Sequence, residues 1–227
     1  MQISVIIPTL DEADRIGDSI AFLRASGFEE VVVSDGGSSD ATAQIAWDSG
    51  AIVIQAPRGR GIQLQYGAAA ATKAHLFFLH ADSLPPADAR HLIEATLSQR
   101  GVIAGCFRLS FDHKHLVLAI YATMSRINHA IFTYGDQGLF LSRATYDRVG
   151  GYSDAPLFED VDILKRLARL GRVSKRQEPM MTSARRFLRD GIIKRELTST
   201  GLILLYALGV SPQTLARWYR PEKAFRE

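Results

Sequence analysis

Between Ile3 and Ser98 the chain alternates short apolar, β-rich runs with helical stretches, and this rhythm limits its architecture more than any other feature. Ile3–Ile7 reads as a strand, and from Ala13 to Ala25 a helical stripe of Ile16, Ile20 and Leu23 ends before Gly27. Val31-Val32-Val33 makes Glu30–Ser34 a strand that is apolar on both faces, the mark of a parallel sheet covered on each side. Gly36-Gly37-Ser38-Ser39-Asp40 breaks it, with Ser39 or Asp40 placed to cap a helix reaching Ser49. Ala51–Ile54 is a third strand, Arg58-Gly59-Arg60-Gly61 a flexible basic loop, Gln63–Ala74 an alanine-rich helix, and His75–Leu79 a fourth strand. Pro85 and Pro86 stand where another helix, running to Ser98, begins. Strand and helix in regular succession with short connections predict a parallel sheet layered by helices.

The second half is less regular. It predicts a strand over Val102–Phe111, a largely apolar helix over His115–Phe132, and a strand over Gly138–Leu141 followed by a short helix that Ser142 caps. An amphipathic helix over Glu159–Leu170 turns Val161, Leu164, Leu167 and Ala168 inward, and helix over Arg186–Tyr206 is interrupted near Gly191 or Gly201. No composition shift marks a boundary. The expected organisation is one α/β domain over residues 1–227 with a mostly parallel, mixed central sheet, residues 1–111 and 112–227 forming its two halves.

Composition excludes several classes. With 47% apolar and 22% charged residues the chain is not disordered, and a formal charge of +3 leaves room for an anionic ligand without predicting a nucleic-acid track. Cys106 is the only cysteine, so neither an internal disulfide nor a cysteine zinc cluster can form, and a cytoplasmic setting is expected. Neither a signal peptide nor a run long enough to span a bilayer is read. Peripheral contact with the cytoplasmic face of the inner membrane and a homo-oligomer are both compatible with the sequence. Leu116–Tyr121 and Gly201–Val210 are too short to span, and packing into the core is the expectation for them.

In a parallel α/β sheet, ligands bind beyond the carboxyl ends of the strands. The loops expected there hold the residues best suited to chemistry. Asp82 follows Leu76–Leu79 and can bind a hard divalent cation, Mg²⁺ or Mn²⁺, whose remaining ligands are phosphates; His80 can add a ligand or bond the diphosphate. As plainly, Asp82 can be a helix cap. Asp35 can accept a hydrogen bond from a base or ribose, or can simply form an Asx turn with Gly36 and Gly37. Pro8, Asp11 and Glu12 flank the same place, and Arg58 and Arg60 suit an anionic ligand or a solvated loop equally. Glu159 and Asp160 open a helix, where acids are common, yet one of them can serve as a general base. Asp136 and Gln137, in Tyr134-Gly135-Asp136-Gln137-Gly138, can orient an acceptor hydroxyl, and Arg185 and Arg186 supply forked donors for a diphosphate. No P-loop or dinucleotide-binding glycine turn is present.

Taken in order, Val5–Glu12, Val32–Asp40, Arg58–Gly61, Phe78–Asp82, Tyr134–Gly138 and Gly150-Gly151-Tyr152 leading to Glu159-Asp160 resemble the family 2 glycosyltransferases, over Ile3 to Trp218. The resemblance implies a GT-A fold and transfer of a sugar, usually with inversion, from a nucleotide-sugar donor to an acceptor hydroxyl. It implies that Asp35 contacts the base, uracil by preference, and Asp40 supports it. It further implies Asp82 as metal ligand, Asp160 as general base, and Arg185 or Arg186 at the diphosphate. The chain departs from the family where His80 opens the metal motif in place of Asp, where Asp11 replaces Asn, and where Phe187 replaces Trp after the arginines. The acceptor, lipid-linked or a small molecule, is not legible. A nucleotidyltransferase, which would release pyrophosphate, and a non-catalytic nucleotide-sugar-binding protein are the rival readings.

Overall fold

The computed structural model describes residues 1–129, 132, 133 and 135–218. The expected alternation is present: β1 (Ile3–Thr9), α1 (Ala13–Ala25), β2 (Glu30–Asp35), α2 (Thr42–Asp48), β3 (Ile52–Gln55), α3 (Arg60–Ala70) and β4 (His75–Phe78). There follow β5 (Ser83–Leu84), α4 (Ala89–Leu97), β6 (Val102–Phe111), α5 (Leu116–Met124), a single 3-10 turn at Gly135–Gln137, β7 (Leu139–Ser142), α6 (Arg143–Arg148) and α7 (Glu159–Leu170). The chain continues through β8 (Arg172–Thr182), α8 (Arg185–Asp190), α9 (Ile192–Ala207) and α10 (Pro212–Trp218).

The strands form one mixed sheet in the order β3-β2-β1-β4-β7-β6-β8-β5. β1 to β4 pair in parallel, β7 runs antiparallel between β4 and β6, and β8 lies parallel to β6. Alternation along β1 explains the layering. Val5 and Ile7 pack with Ile16, Ile20 and Leu23 of α1 on one face, while Ile6 meets Leu64 of α3 and Leu164 and Leu167 of α7 on the other. Both faces are therefore dry, and full burial of each such side chain contributes roughly 1.5–3 kcal/mol.

Several expected boundaries move. β8 was not expected from the sequence. Its charged and polar alternation, with Pro179 inside, hides a strand that is half-exposed beside β6. α3 starts three residues early because Gly61 has no side chain: a Cβ there would stand 2.1 Å from the Ser153 carbonyl oxygen, so only glycine lets the first turn settle against the segment before α7. α4 begins at Ala89, beyond Pro86, and α5 stops at Met124. The next residue, Ser125, is held by β6, its hydroxyl accepting the Leu109 N–H at 2.8 Å and donating to the Ala122 carbonyl. Ala130 and Ile131, within the helix expected to run to Phe132, lie outside the described residues, as does Tyr134. The C-terminal break falls at Gly191, at φ 86°, and α9 runs through Gly201.

Candidate active site

Strand direction decides which loops meet. The carboxyl ends of β1, β2 and β4 lie at one rim, and the Phe78–Leu139 pairing brings the turn before antiparallel β7 to the same place. β8 ends there and leads into α8, and α7, which runs away from the rim into β8, begins there. Residues from six separate stretches thus share one edge.

The first cluster ties α8 to the β1 loop. Buried Glu12 accepts from Arg185 Nη2 at 2.8 Å on one carboxylate oxygen and from Arg186 Nη2 at 2.7 Å on the other, and Arg186 Nε stands 3.7 Å from Asp82 Oδ2. Glu12 is held in turn by its own N–H, which donates to Thr42 Oγ1 at 2.8 Å. Asp40 clamps the same two loops, accepting from Thr42 N and Ala13 N. Its expected place as cap of α2 is filled by Ala41 in sequence, although Asp40 does bind the first-turn amide.

The second cluster joins α3 to α7. Arg60 Nε donates to buried Glu159, and its Nη2 lies 3.8 Å from Asp160 Oδ2. Burial works against the cation, but the charges of Glu159 and Asp160 outweigh it and hold Arg60 firmly protonated. The expected mobile loop is therefore only half a loop, since Arg60 is anchored on a helix while Arg58 is exposed in the turn before it. The Tyr152 hydroxyl and the Gly135 N–H lie near Asp160 and favour its charged form. Even so, burial and then the charge of Glu159 raise its pKa above the ordinary value.

Gly135 joins the two sides of the site. A Cβ at this position would lie 2.4 Å from Asp160 Oδ2 and 2.6 Å from His80 Nε2, so its absence lets the catalytic-base candidate and the metal-loop histidine approach the same turn. His80 Nε2 is buried without a hydrogen-bond partner, as is Asp136 Oδ1. Burial, followed by the positive charges of Arg60 and Arg186, keeps His80 neutral. Asp136 is pushed up to about 7, first by burial and then by the charges of Asp82 and Asp160. Gln137 is wholly buried, donating to the Phe132 carbonyl at 2.9 Å with its Oε1 unpartnered.

The raised acid at position 136 gives a measurable sign. An Asp held neutral when folded but ionised in the unfolded chain destabilises the fold progressively as pH rises from about 3.8 toward 7, and the whole cost persists above. Asp136→Asn removes that cost. Thermal melting of the metal-free protein should show the variant more stable than the parent at pH 8, with the gap closing toward pH 4; a gap independent of pH would contradict the raised acid.

Asp35, for which the resemblance implies a contact to the base, is also built into its own loop. It is buried, one oxygen accepting the Gly37 and Ser38 N–H groups at 3.0 and 2.9 Å and the other the Ser38 and Thr9 hydroxyls. This is the Asx turn that was its plainer reading, and its four acceptor positions are spent on shaping the loop. Asp11, at φ 53°, similarly accepts the Ser39 N–H at 2.8 Å and so pins the neighbouring loop. Pro8 is half-buried within β1, opposite Ser34. Sequence reading did not single out Gln63, whose amide donates to the Thr9 and Ser34 carbonyls at 2.8 and 2.9 Å and ties together the ends of β1 and β2. Tyr152 enters the sequence reading only as part of a motif, and its nearness to Asp160 has no signature in spacing.

A divalent cation suits this arrangement. Among the described residues no three His, Cys, Asp or Glu side chains could hold a metal by themselves. Yet negative charge crowds around Asp82, Asp136 and Asp160, and two buried acceptors face no partner. A hard cation that completes its shell with phosphate oxygens fits such a donor set.

Comparison with known proteins bears on the family and the fold. The model of glycosyl transferase family 2 matches residues 4–141, more than half of the chain. Glycosyltransferase AglJ of Haloferax volcanii is 43% identical over 60 residues, which cover 26% of this chain and 20% of that protein. Among solved structures, a mannosyltransferase of Pyrobaculum calidifontis in complex with GDP-Man and Mn²⁺ superimposes with a TM-score of 0.67 at 19% identity, covering 79% of this chain and 56% of its own. Glucosyl-3-phosphoglycerate synthase of Mycobacterium tuberculosis, in complex with Mn²⁺, UDP and glucosyl-3-phosphoglycerate, gives 0.63 at 19% identity, covering 92% and 80%. The structural likenesses establish the GT-A fold, and this chain spans only part of the length of the relatives it matches.

Proposed function

Because the chain belongs to glycosyl transferase family 2, we propose that its rim binds a nucleotide-sugar, preferentially a UDP-sugar, and transfers the sugar with inversion to an acceptor hydroxyl. The observation that carries the reading is the linkage of Glu12, Asp82, Arg185 and Arg186, from the two ends of the chain and its middle, beside the Arg60, Glu159 and Asp160 cluster.

Asp82 would hold Mn²⁺ or Mg²⁺, with His80 or Asp136 adjoining. When bound, the cation supplies positive charge against the diphosphate as the sugar–phosphate bond breaks. Arg185 and Arg186, oriented by Glu12, present guanidinium groups that stabilise the leaving diphosphate and lose nothing to reorganisation during the reaction. Asp160 takes the proton of the attacking hydroxyl. Its raised pKa keeps it a stronger base than an ordinary aspartate, with the Tyr152 hydroxyl and the Gly135 N–H close beside it. Arg60 balances the charge of Glu159 and Asp160, Asp35 and Asp40 shape the base-side loops, and Gln137 supports the turn that carries Asp136. Residues 1–111 would supply most donor contacts and residues 112–227 the base and acceptor side.

The product identifies the reaction class. Incubated with UDP- or GDP-sugars and Mn²⁺, the protein should release a nucleoside diphosphate, by transfer or by slow hydrolysis to water. Release of pyrophosphate from a nucleoside triphosphate and a sugar phosphate would instead assign it to the nucleotidyltransferases.

A further inference from the structure

The helices expected to finish the core leave a broad apolar face in the open. On α5, Leu116, Ile120 and Met124 recur at helical spacing and all are exposed, Leu116 at 76%. On α9, which contacts α5, Ile193, Leu197 and Leu204 make a second stripe that continues to Leu208, with exposures of 62, 69, 59 and 82%. α8 lies with them: Phe187 packs on Tyr121 and Phe111, and Leu188 faces outward. Isolated exposed leucines need no explanation, but stripes on adjacent helices form a contiguous patch of the kind that marks an interaction surface.

Charge around the patch selects the occupant. Between His113 and Gly135 the sequence contains no carboxylate, and between Gly191 and Arg217 only Glu196; of the carboxylates just outside, Asp190 is paired with Arg189 and Arg195, and Asp112 accepts the Ala184 N–H. The same segments carry Lys114, Arg126, Lys194 and Arg217, all exposed. From Leu197 to Ala216 there is no charged residue of either sign. An apolar face bordered by cations repels a second copy of itself and complements a surface that is apolar within and anionic at its edge. Among the described residues no helix is long and apolar enough to cross a membrane, so contact of this kind is in the plane of the interface.

We infer that α5, α8 and α9 dock the protein on an anionic lipid bilayer, with the leucine stripes in the headgroup boundary and the flanking lysines and arginines against lipid phosphates. α8 connects this face to the rim. Its first residues, Arg185 and Arg186, belong to the Glu12–Asp82 cluster, and Leu188, less than a turn later, belongs to the exposed face. A docked molecule therefore holds its rim close to the lipid surface. If the transferase reading stands, the acceptor hydroxyl belongs to a membrane-borne molecule.

Vesicle sedimentation with the full chain, without donor or turnover, tests docking separately from transfer. Binding to phosphatidylcholine vesicles containing about one-third phosphatidylglycerol should exceed binding to phosphatidylcholine alone by roughly tenfold or more and should weaken with salt. Leu197→Asp with Leu204→Asp should abolish it while leaving the circular dichroism spectrum and nucleoside-diphosphate binding unchanged. Lys114→Ser with Lys194→Ser, which spares every apolar contact, should reduce it severalfold. Failure to bind either vesicle, or equal binding by the leucine variant, overturns the inference. A dimer that the leucine substitutions dissociate, in protein that ignores vesicles, assigns the face to a second copy instead.

Discussion

Replacing Asp160 by Asn should lower turnover by roughly two to four orders of magnitude, the usual contribution of a general base. Asn keeps the size of the side chain and a polar oxygen beside the Tyr152 hydroxyl and the Gly135 N–H, so the pocket should keep its shape. What is lost is the capacity to take a proton. Nucleotide-sugar affinity should change little, because the proposed role of Asp160 is toward the acceptor and its nearest cation, Arg60, remains paired with Glu159. The pH profile supplies a second reading. With its pKa raised by burial and by Glu159, Asp160 is protonated, and inactive as a base, to a higher pH than an ordinary aspartate, so kcat should rise with pH well above 3.8 before levelling. Steady-state kinetics and donor titration on the same preparation decide the matter. Turnover equal to the parent's would remove Asp160 from the role.

Asp82→Ala should cost roughly a hundredfold in kcat/KM, the several kcal/mol expected when a clamp on the leaving phosphate is lost. The informative feature is non-additivity. Chelating the metal from the parent should impose a loss of similar size, and chelation should then take little more from the variant, because both changes remove one interaction. Arg186, 3.7 Å from Asp82, should stay in place through its shorter bond to Glu12, so a general collapse of the arginine pair is not expected. If the variant responds to chelation as strongly as the parent does, the metal is held elsewhere.

The parallel half of the sheet was legible because both of its faces are buried. Ile3–Ile7 and Val31–Val33 are continuous apolar runs, and each ends where glycine, proline or acidic residues begin, so strand, turn and rim could be read together. β8 was not legible, since a half-exposed strand with Arg172, Lys175, Arg176 and Pro179 has neither continuous nor cleanly alternating apolar character. The apolar segments of α5 and α9 misled in the opposite direction: hydrophobicity along a sequence states preference for a nonaqueous neighbour and does not say whether that neighbour is the same chain. Within the site, residue types were readable but partners were not. Glu12 was grouped with the donor loop, yet its bonds run to Arg185 and Arg186, more than 170 residues away. Asp35 shows a further limit, since an Asp-Gly-Gly sequence permits both a ligand contact and an internal turn, and only the positions of the Ser38 and Thr9 hydroxyls show that the turn is made.

At this rim, protein carboxylates and a nucleoside diphosphate should complete one another around a single cation. Calorimetric titration of Mn²⁺ into the protein, alone and then saturated with UDP or GDP, measures that coupling directly. Weak Mn²⁺ binding that tightens by roughly tenfold or more once the matching nucleoside diphosphate is bound is the predicted result. Mn²⁺ affinity that is the same with and without either diphosphate would contradict it.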